Sequence, residues 1–314
     1  LGRFSFIAKR LVQVIPMMLG IILVVFLLLQ ITPGDPVRQI VGLRATQEQL
    51  DEVREEMGLN DSVLVQYGRY VASVAQGDLG YSYKSKQPVT SLIRDRIVVT
   101  AWLLTAGIFL TLLISIPAAI AAALYRGRTA DQVIRGAGLL GLSLPAFWVG
   151  VMLLLLVALP TGWFPPGGFG ETFTERLRSI FLPALTLAIG SSPFIIRSLR
   201  ASMISVLNSD YVATGRAIGG PRRRLIRRFV FRNAAVSSVT VLALEIGFLL
   251  FGAVIIETTF ALPGLGQGLV LAARGRDLPA IQGYTLLFAV IVVAVYLLSD
   301  IAQAMLDPRV EIES

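Results

Sequence analysis

The chain has 314 residues, 55% of them hydrophobic, with a mean hydropathy of +0.73 and a formal charge of +8. That hydropathy lies far outside the range of a soluble domain and indicates an integral membrane protein. The absence of Cys and His excludes disulfides, thiolate and histidine-based catalysis and almost all zinc or haem ligation, and the arginines, which follow membrane topology rather than interleaving with aromatics, argue against a nucleic-acid binder.

Arg3, Lys9 and Arg10 precede an apolar run from Leu11 to Ile31, long enough to cross a hydrocarbon core of about 30 Å. The basic flank places the N-terminus in the cytoplasm; the run is too long for a signal-peptide core, and no small-residue cleavage site follows it. Pro33-Gly34-Asp35-Pro36 ends this helix. The region from Pro33 to Arg96 is too long for a tight connection and predicts a small external subdomain with two helices. Thr46 and Gln49 form a capping-box pattern, Leu50, Val53 and Met57 share a face, and Gly58 closes the first; the second carries Leu64, Tyr67, Tyr70, Val71 and Val74 and stops near Gly77.

Further spans are expected from about Ile97 to Leu124, Ile134 to Leu159, Ile180 to Arg200, Ala234 to Ile256 and Gly283 to Leu306. The fourth contains Pro183 and Pro193, tolerated where neighbours or hydroxyls satisfy the freed carbonyls. An external loop from Glu257 to Gln282 holds the Pro263-Gly264-Leu265-Gly266 turn and a short interfacial helix. Glu257, Pro263, Gly264 and Gly266 either shape an outer mouth or serve as a connector. Arginine density supports cytoplasmic termini, because Arg126, Arg128, Arg135 and the block from Arg197 to Arg232 fall on one side.

Between the fourth and fifth spans, Asn208 to Arg232 is a polar, arginine-loaded interruption. Asn208, Ser209 and Asp210 offer N-cap side chains, about two turns of helix follow, and Gly219-Gly220-Pro221 stops them. Tyr211, Gly215 and Ile218 fall on one face at helical spacing, making a short rod suited to a partner's groove; an ordinary basic loop fits the same residues. Arg222, Arg223, Arg224, Arg227 and Arg228 can pair with acids on a partner or with anionic lipid headgroups. Within the spans, Glu245 and Asp300 either line a polar path or bond neighbouring helices, as do Ser191 and Ser192. No phosphate-binding GxxxxGK[ST] run occurs, so the chain cannot by that route hydrolyse a nucleotide.

Nearly the whole chain resembles the membrane subunits of binding-protein-dependent ABC importers of the dipeptide/oligopeptide/nickel class. The matching parts are the Pro33-Gly34-Asp35-Pro36 turn, MGLNDSVLVQYGRY with Gly77-Asp78-Leu79-Gly80, LSLPAFWVG from Leu142 to Gly150, DYVATGRAIG from Asp210, RNAA from Arg232, ETTFALPGLG from Glu257 and LDPR near the end. The resemblance implies an all-α integral membrane protein with six transmembrane helices, an external subdomain after the first and a cytoplasmic coupling helix between the fourth and fifth. Residues 1–32 would form the tail and first helix, 33–96 the external subdomain and 97–314 the permease core with a coupling loop at 208–232.

The resemblance also implies that Asp210, Tyr211, Ala213, Gly215, Arg216, Ala217 and Gly219 belong to a coupling helix docking in an ATPase subunit. Gly215, where relatives often have alanine, and Phe229, where they often have histidine, depart from the pattern. The implied partners are a second similar permease, two ATPase subunits carrying ATP and Mg, an extracytoplasmic solute-binding protein and membrane lipid, in the inner membrane of a bacterium or archaeon. No catalytic residue, metal or cofactor is implied in this chain. The implied cargo is a peptide or similar small solute; glutathione, a nickel chelate or a sugar fits equally. The rival reading is an ATP-independent transporter or channel using Glu245 and Asp300.

Overall fold

The computed structural model describes residues 2–31, 37, 46–56, 58–82, 84–219 and 221–306. The Pro33-to-Pro36 turn, Met57, Gly220 and the Asp307-Pro308-Arg309 tail lie outside the described residues. Among the described residues the helices longer than one turn are α1 (Gly2–Ile31), α2 (Gln47–Glu56), α3 (Val63–Ala75), α4 (Val89–Leu124), α5 (Thr129–Ser143), α6 (Ala146–Leu153), α7 (Phe173–Leu207), α8 (Asp210–Ala217), α9 (Arg232–Thr259), α10 (Leu265–Gly275) and α11 (Leu278–Leu306), with π-helical segments at Leu154–Ala158 and Leu225–Phe231. Five of them, within α1, α4, α7, α9 and α11, are long and apolar enough to cross a membrane; α5 and the run Ala146–Thr161 that α6 begins together make a sixth candidate, bent by 101°.

That bend breaks the span expected from Ile134 to Leu159 into two helices. Pro145 has no amide to donate and drives Leu144 into extended backbone (φ −92°, ψ 129°), so the apolar stretch continues while its direction does not. The second span also differs from expectation, since α4 begins at Val89 and carries Arg94, Asp95 and Arg96 in its first turns. Those charges lower hydropathy without breaking the helix, arginine being a good helix former. A small ribbon accompanies the helices: Tyr81–Ser82 (β1) and Gln87–Pro88 (β2) pair antiparallel, Tyr81 opposite Pro88. The Ser82 hydroxyl is buried and donates to the Asp277 carboxylate, fastening this ribbon to the start of α11.

α4 packs along α7, and α9 lies against both. Because lipid tails are as apolar as leucine, close backbone approach rather than hydrophobic transfer must hold such helices together. Leu187 of α7 shows how: a Cβ added at Gly107 of α4 would sit 3.3 Å from its Cδ1, and one at Gly252 of α9 3.1 Å from its Cδ2. Pro193 leaves Ile189 O without its helical donor, and α5 comes close there, with a Cβ at Gly141 only 3.1 Å from that oxygen. A reciprocal cap starts α7: Glu175 N donates to Thr172 Oγ1 at 3.3 Å and Thr172 N to Glu175 Oε2 at 3.1 Å.

The region before α4 packs on α1. Thr46 N donates to Gln49 Oε1 at 3.0 Å and Gln49 N to Thr46 Oγ1 at 3.4 Å, while Gly58 takes φ +62° behind α2. Tyr67 donates to Leu19 O at 2.8 Å, and the Phe26 ring lies 5.8 Å from that of Tyr67 and 6.0 Å from that of Tyr70. Burial pushes the Tyr70 hydroxyl up to about 12, so it stays neutral at physiological pH. Leu64, on the same helix, is exposed.

One ion pair ties α5 to the far end of α7. Arg200 donates from Nε to Asp131 Oδ1 at 2.7 Å and from Nη2 to Oδ2 at 2.6 Å, and Gly127 N donates to Oδ2 at 2.9 Å. The Asp131 side chain is 2% exposed and that of Arg200 19%. Arg200→Leu is therefore expected to cost about 3 kcal/mol by leaving a buried carboxylate without its cation. Arg200→Lys should recover only part of this, since an ammonium cannot make both bonds in one plane. Detergent-solubilised thermal unfolding reads both variants; equal midpoints for wild type and Arg200→Leu would contradict the assignment.

Candidate functional site

The interruption between α7 and α9 is built on α8. Ser209 holds the N-cap position in extended backbone (φ −79°, ψ 150°), but its hydroxyl donates to Val206 O at 2.6 Å, and Asn208 is the C-cap of α7. The side-chain cap expected from Asn208, Ser209 and Asp210 is thus not formed, because Ser209 turns back to the last turn of α7. The stop is as the sequence suggests: Gly219 takes φ +78°, which favours glycine, and its N–H reaches Arg216 O at 3.0 Å.

Val212 anchors the rod, 1% exposed in a cluster with Ala119, Leu199, Met203, Val230 and Ala234. Gly215 faces the same way: a Cβ there would come within 2.7 Å of Leu225 Cδ2, so the alanine of relatives would require Leu225 to move. Tyr211 accepts from Asn233 Nδ2 at 3.3 Å. Asp210, Ala213, Arg216, Ala217 and Gly219 are exposed, and Ile218 is 80% exposed. The predicted face of Tyr211, Gly215 and Ile218 therefore divides, with only Ile218 fully outward.

A second cluster closes the opposite end of α9. Glu257 is 0% exposed, and its carboxylate accepts from Thr100 Oγ1 at 2.6 Å, from Gln267 N at 3.0 Å and from Gly266 N. Leu265 N donates to Thr100 Oγ1 at 2.8 Å, and Arg96 Nη1 donates to Gly264 O at 3.3 Å. One carboxylate thus gathers the unsatisfied first amides of α10 and locks them to α4. A Cβ at Gly264 would run into that carboxylate and one at Gly266 into Val254 Cα, so glycine is required for close approach; Pro263 precedes them. Phe260, 1% exposed, sits behind the network, and a Cβ at Gly150 would lie 3.0 Å from its ring. Thr100 and Arg96 went unnoticed in the sequence; the signal was a carboxylate at a helix end that demands donors.

Of the polar groups inside the spans, Glu245 is buried in α9 and hydrogen-bonds Ser191 of α7. Ser115 Oγ donates to Ser192 O at 3.3 Å, while Thr111 Oγ1 and Ser192 Oγ are buried without a hydrogen-bond partner among the described residues. Asp300 is elsewhere. Its Oδ2 lies 3.3 Å from Arg10 Nε of α1 and its side chain is 32% exposed, so Asp300 and Glu245 form no pair. Among the described residues no group of three acids gathers that could hold a metal ion.

The model of the binding-protein-dependent transport system inner membrane component matches residues 112–312, and that of the N-terminal part of such components matches residues 3–104. The chain is 37% identical over 309 residues to a protein of Brucella suis biovar 1 assigned as a peptide transport system permease, with 98% of each chain covered. It is 35% identical over 313 residues to the oligopeptide transport system permease protein AppB of Bacillus subtilis, covering 98% of this chain and 99% of that one. In fold it is similar to a chain of the MetNI methionine ABC transporter solved in inward-facing conformations, with a TM-score of 0.59, 15% identity and coverage of 69% of this chain and 96% of that one. The chain belongs to the inner membrane components of binding-protein-dependent transport systems, the permease subunits of ABC importers.

Proposed function

We propose that this chain forms half of the translocation path of an ABC importer for peptides, driven by ATP hydrolysis on partner subunits. The observation that carries this is α8, anchored through buried Val212 yet presenting Ala213, Arg216, Ala217, Ile218 and Gly219 outward, in a permease family whose matched relatives are named for peptides. A rod fixed on one face and bare on the other suits mechanical input: a partner that shifts α8 moves α7 and α9 with it. In this reading α8 docks in a cytoplasmic ATPase, and ATP with Mg is bound there and not in this chain.

The topology that accompanies it has six crossings, the α5–α6 pair counting as one, both termini in the cytoplasm of a bacterial or archaeal cell, an external subdomain at 33–96 and a permease core at 97–314. A second permease completes the path, and an extracytoplasmic solute-binding protein delivers the peptide to the end where Glu257, Pro263, Gly264 and Gly266 hold α10. Ser191, Ser192 and Glu245 supply polar groups along the way. The ATP-independent alternative is weakened, since Asp300 is engaged by Arg10 at a partly exposed position.

A tagged copy purified gently from native membranes tests the reading. Mass spectrometry should recover a second permease and ATPase subunits, and the complex in liposomes should take up peptide only with ATP. Recovery of the chain alone, transporting without ATP, would refute it.

A further inference from the structure

A cleft of about 550 Å³ opens between α4 and the π-helical segment before α9, lined by Ile116, Ile120, Ile226 and Phe231 with Arg223 and Arg227. Its wall is almost wholly apolar apart from the two guanidinium groups. Both arginines are exposed, and among the described residues neither has an acidic side chain within ion-pair reach. Of the acids at this end of α7, Asp131 of α5 is occupied by Arg200, and Asp210 of α8 is exposed and within ion-pair reach of neither cleft arginine.

The vertical order of these groups is informative. Ile120 and Ile116 lie one and two turns before α4 ends at Leu124, or roughly 6 and 12 Å along its axis, at acyl-chain depth if the helix end marks the headgroups. Arg223 and Arg227 precede α9, and a π-helical turn, with its i to i+5 bonding, brings residues four apart nearer to eclipse than an α-turn does. Arg227 and Phe231 both line the side facing α4. An apolar trough rimmed by two cations that no acid among the described residues engages complements a molecule with an anionic head and a hydrocarbon tail. Basic pockets between transmembrane helices on the cytoplasmic side have that ligand chemistry.

We propose that this cleft binds one anionic phospholipid, its phosphate between Arg223 and Arg227 and an acyl chain along Ile116, Ile120, Ile226 and Phe231. The site rests on the reading that the α8 end faces the inner leaflet. Its position beside α8 makes the lipid a brace between α4 and the segment that carries α8 into α9. A free phosphate would use the arginines alone and leave the trough empty.

Native mass spectrometry of the full chain, with whatever subunits co-purify, from micelles doped equally with dioleoyl-phosphatidylglycerol and dioleoyl-phosphatidylethanolamine reads the site without any transport assay, so its outcome is separable from that of the import reading. Wild type should retain phosphatidylglycerol preferentially. The preference should fall about fivefold for each of Arg223→Gln and Arg227→Gln. Ile120→Trp, or Ile226→Trp should the first fail to fold, should fill the trough and release the lipid with both arginines intact. Undiminished phosphatidylglycerol retention in Arg223→Gln/Arg227→Gln would overturn the site. So would displacement by excess inorganic phosphate with no effect of the tryptophans, which marks a free-anion site, or a co-purifying subunit cross-linked into the cleft.

Discussion

Replacing Glu257 with alanine is expected to abolish peptide uptake while leaving the chain inserted in the membrane. The variant removes the acceptor shared by the Thr100 hydroxyl and the amides of Gly266 and Gln267, in a place where the carboxylate is wholly buried. Each donor stranded without a partner costs about 1–3 kcal/mol, enough together to free α10 locally but not to unfold helices that pack elsewhere along their length. Glu257→Gln keeps one acceptor oxygen but turns an NH2 toward backbone N–H groups, so an intermediate loss is expected. Thr100→Val, nearly isosteric, removes the link to Leu265 N and should mimic part of the effect. Radiolabelled peptide uptake gives the activity; amide hydrogen exchange across Leu265–Gly275 should accelerate in step with its loss. Wild-type uptake by Glu257→Ala would remove the network from the mechanism.

Ile218→Asp and Val212→Asp should separate docking from anchoring. Ile218 contributes almost nothing to the fold, so an aspartate there should leave expression and thermal stability unchanged. An apolar side chain that plugs a partner's groove is typically a hot spot worth about 2 kcal/mol or more, roughly a thirtyfold fall in subunit affinity. Transport and substrate-stimulated ATP hydrolysis should both disappear. Val212→Asp instead buries a carboxylate among Ala119, Leu199 and Met203 and should reduce the folded chain itself. Loss of protein in Ile218→Asp, or ATPase subunits still held by it, would contradict the outward role given to that residue.

What the sequence made legible, and what it hid, follows from how far apart the partners are. The membrane-length helices are written in local hydropathy, and the stop of α8 in the positive φ that Gly219 provides. The Thr46–Gln49 cap needs only three residues of context. Direction is another matter. A sliding count of apolar residues crosses Pro145 without registering a 101° bend, and it starts α4 late because Arg94, Asp95 and Arg96 are helical and charged at once. The four-residue ribbon is too short for alternation to show. Thr100 and Glu257 are 157 residues apart, and Arg200 and Asp131 are 69 apart, so nothing in either neighbourhood announces the other. Asp300 was misleading for a related reason. Arg10 looked like a topological flank until α1 and α11 were laid side by side.

α4 is one rod of 36 residues, and the features at its two ends share an axis. Thr100 holds Glu257 near one end, and Ile120 lines the arginine-rimmed cleft some 20 residues further on, about 30 Å away. At 3.6 residues per turn these positions stand about 200° apart around the helix, on nearly opposite faces. A sideways shift of the rod therefore carries one away from its partner while pressing the other toward its own. In the proposed topology a movement at one end of α4 reaches the other as a displacement of the whole rod, with no relay of side chains between them.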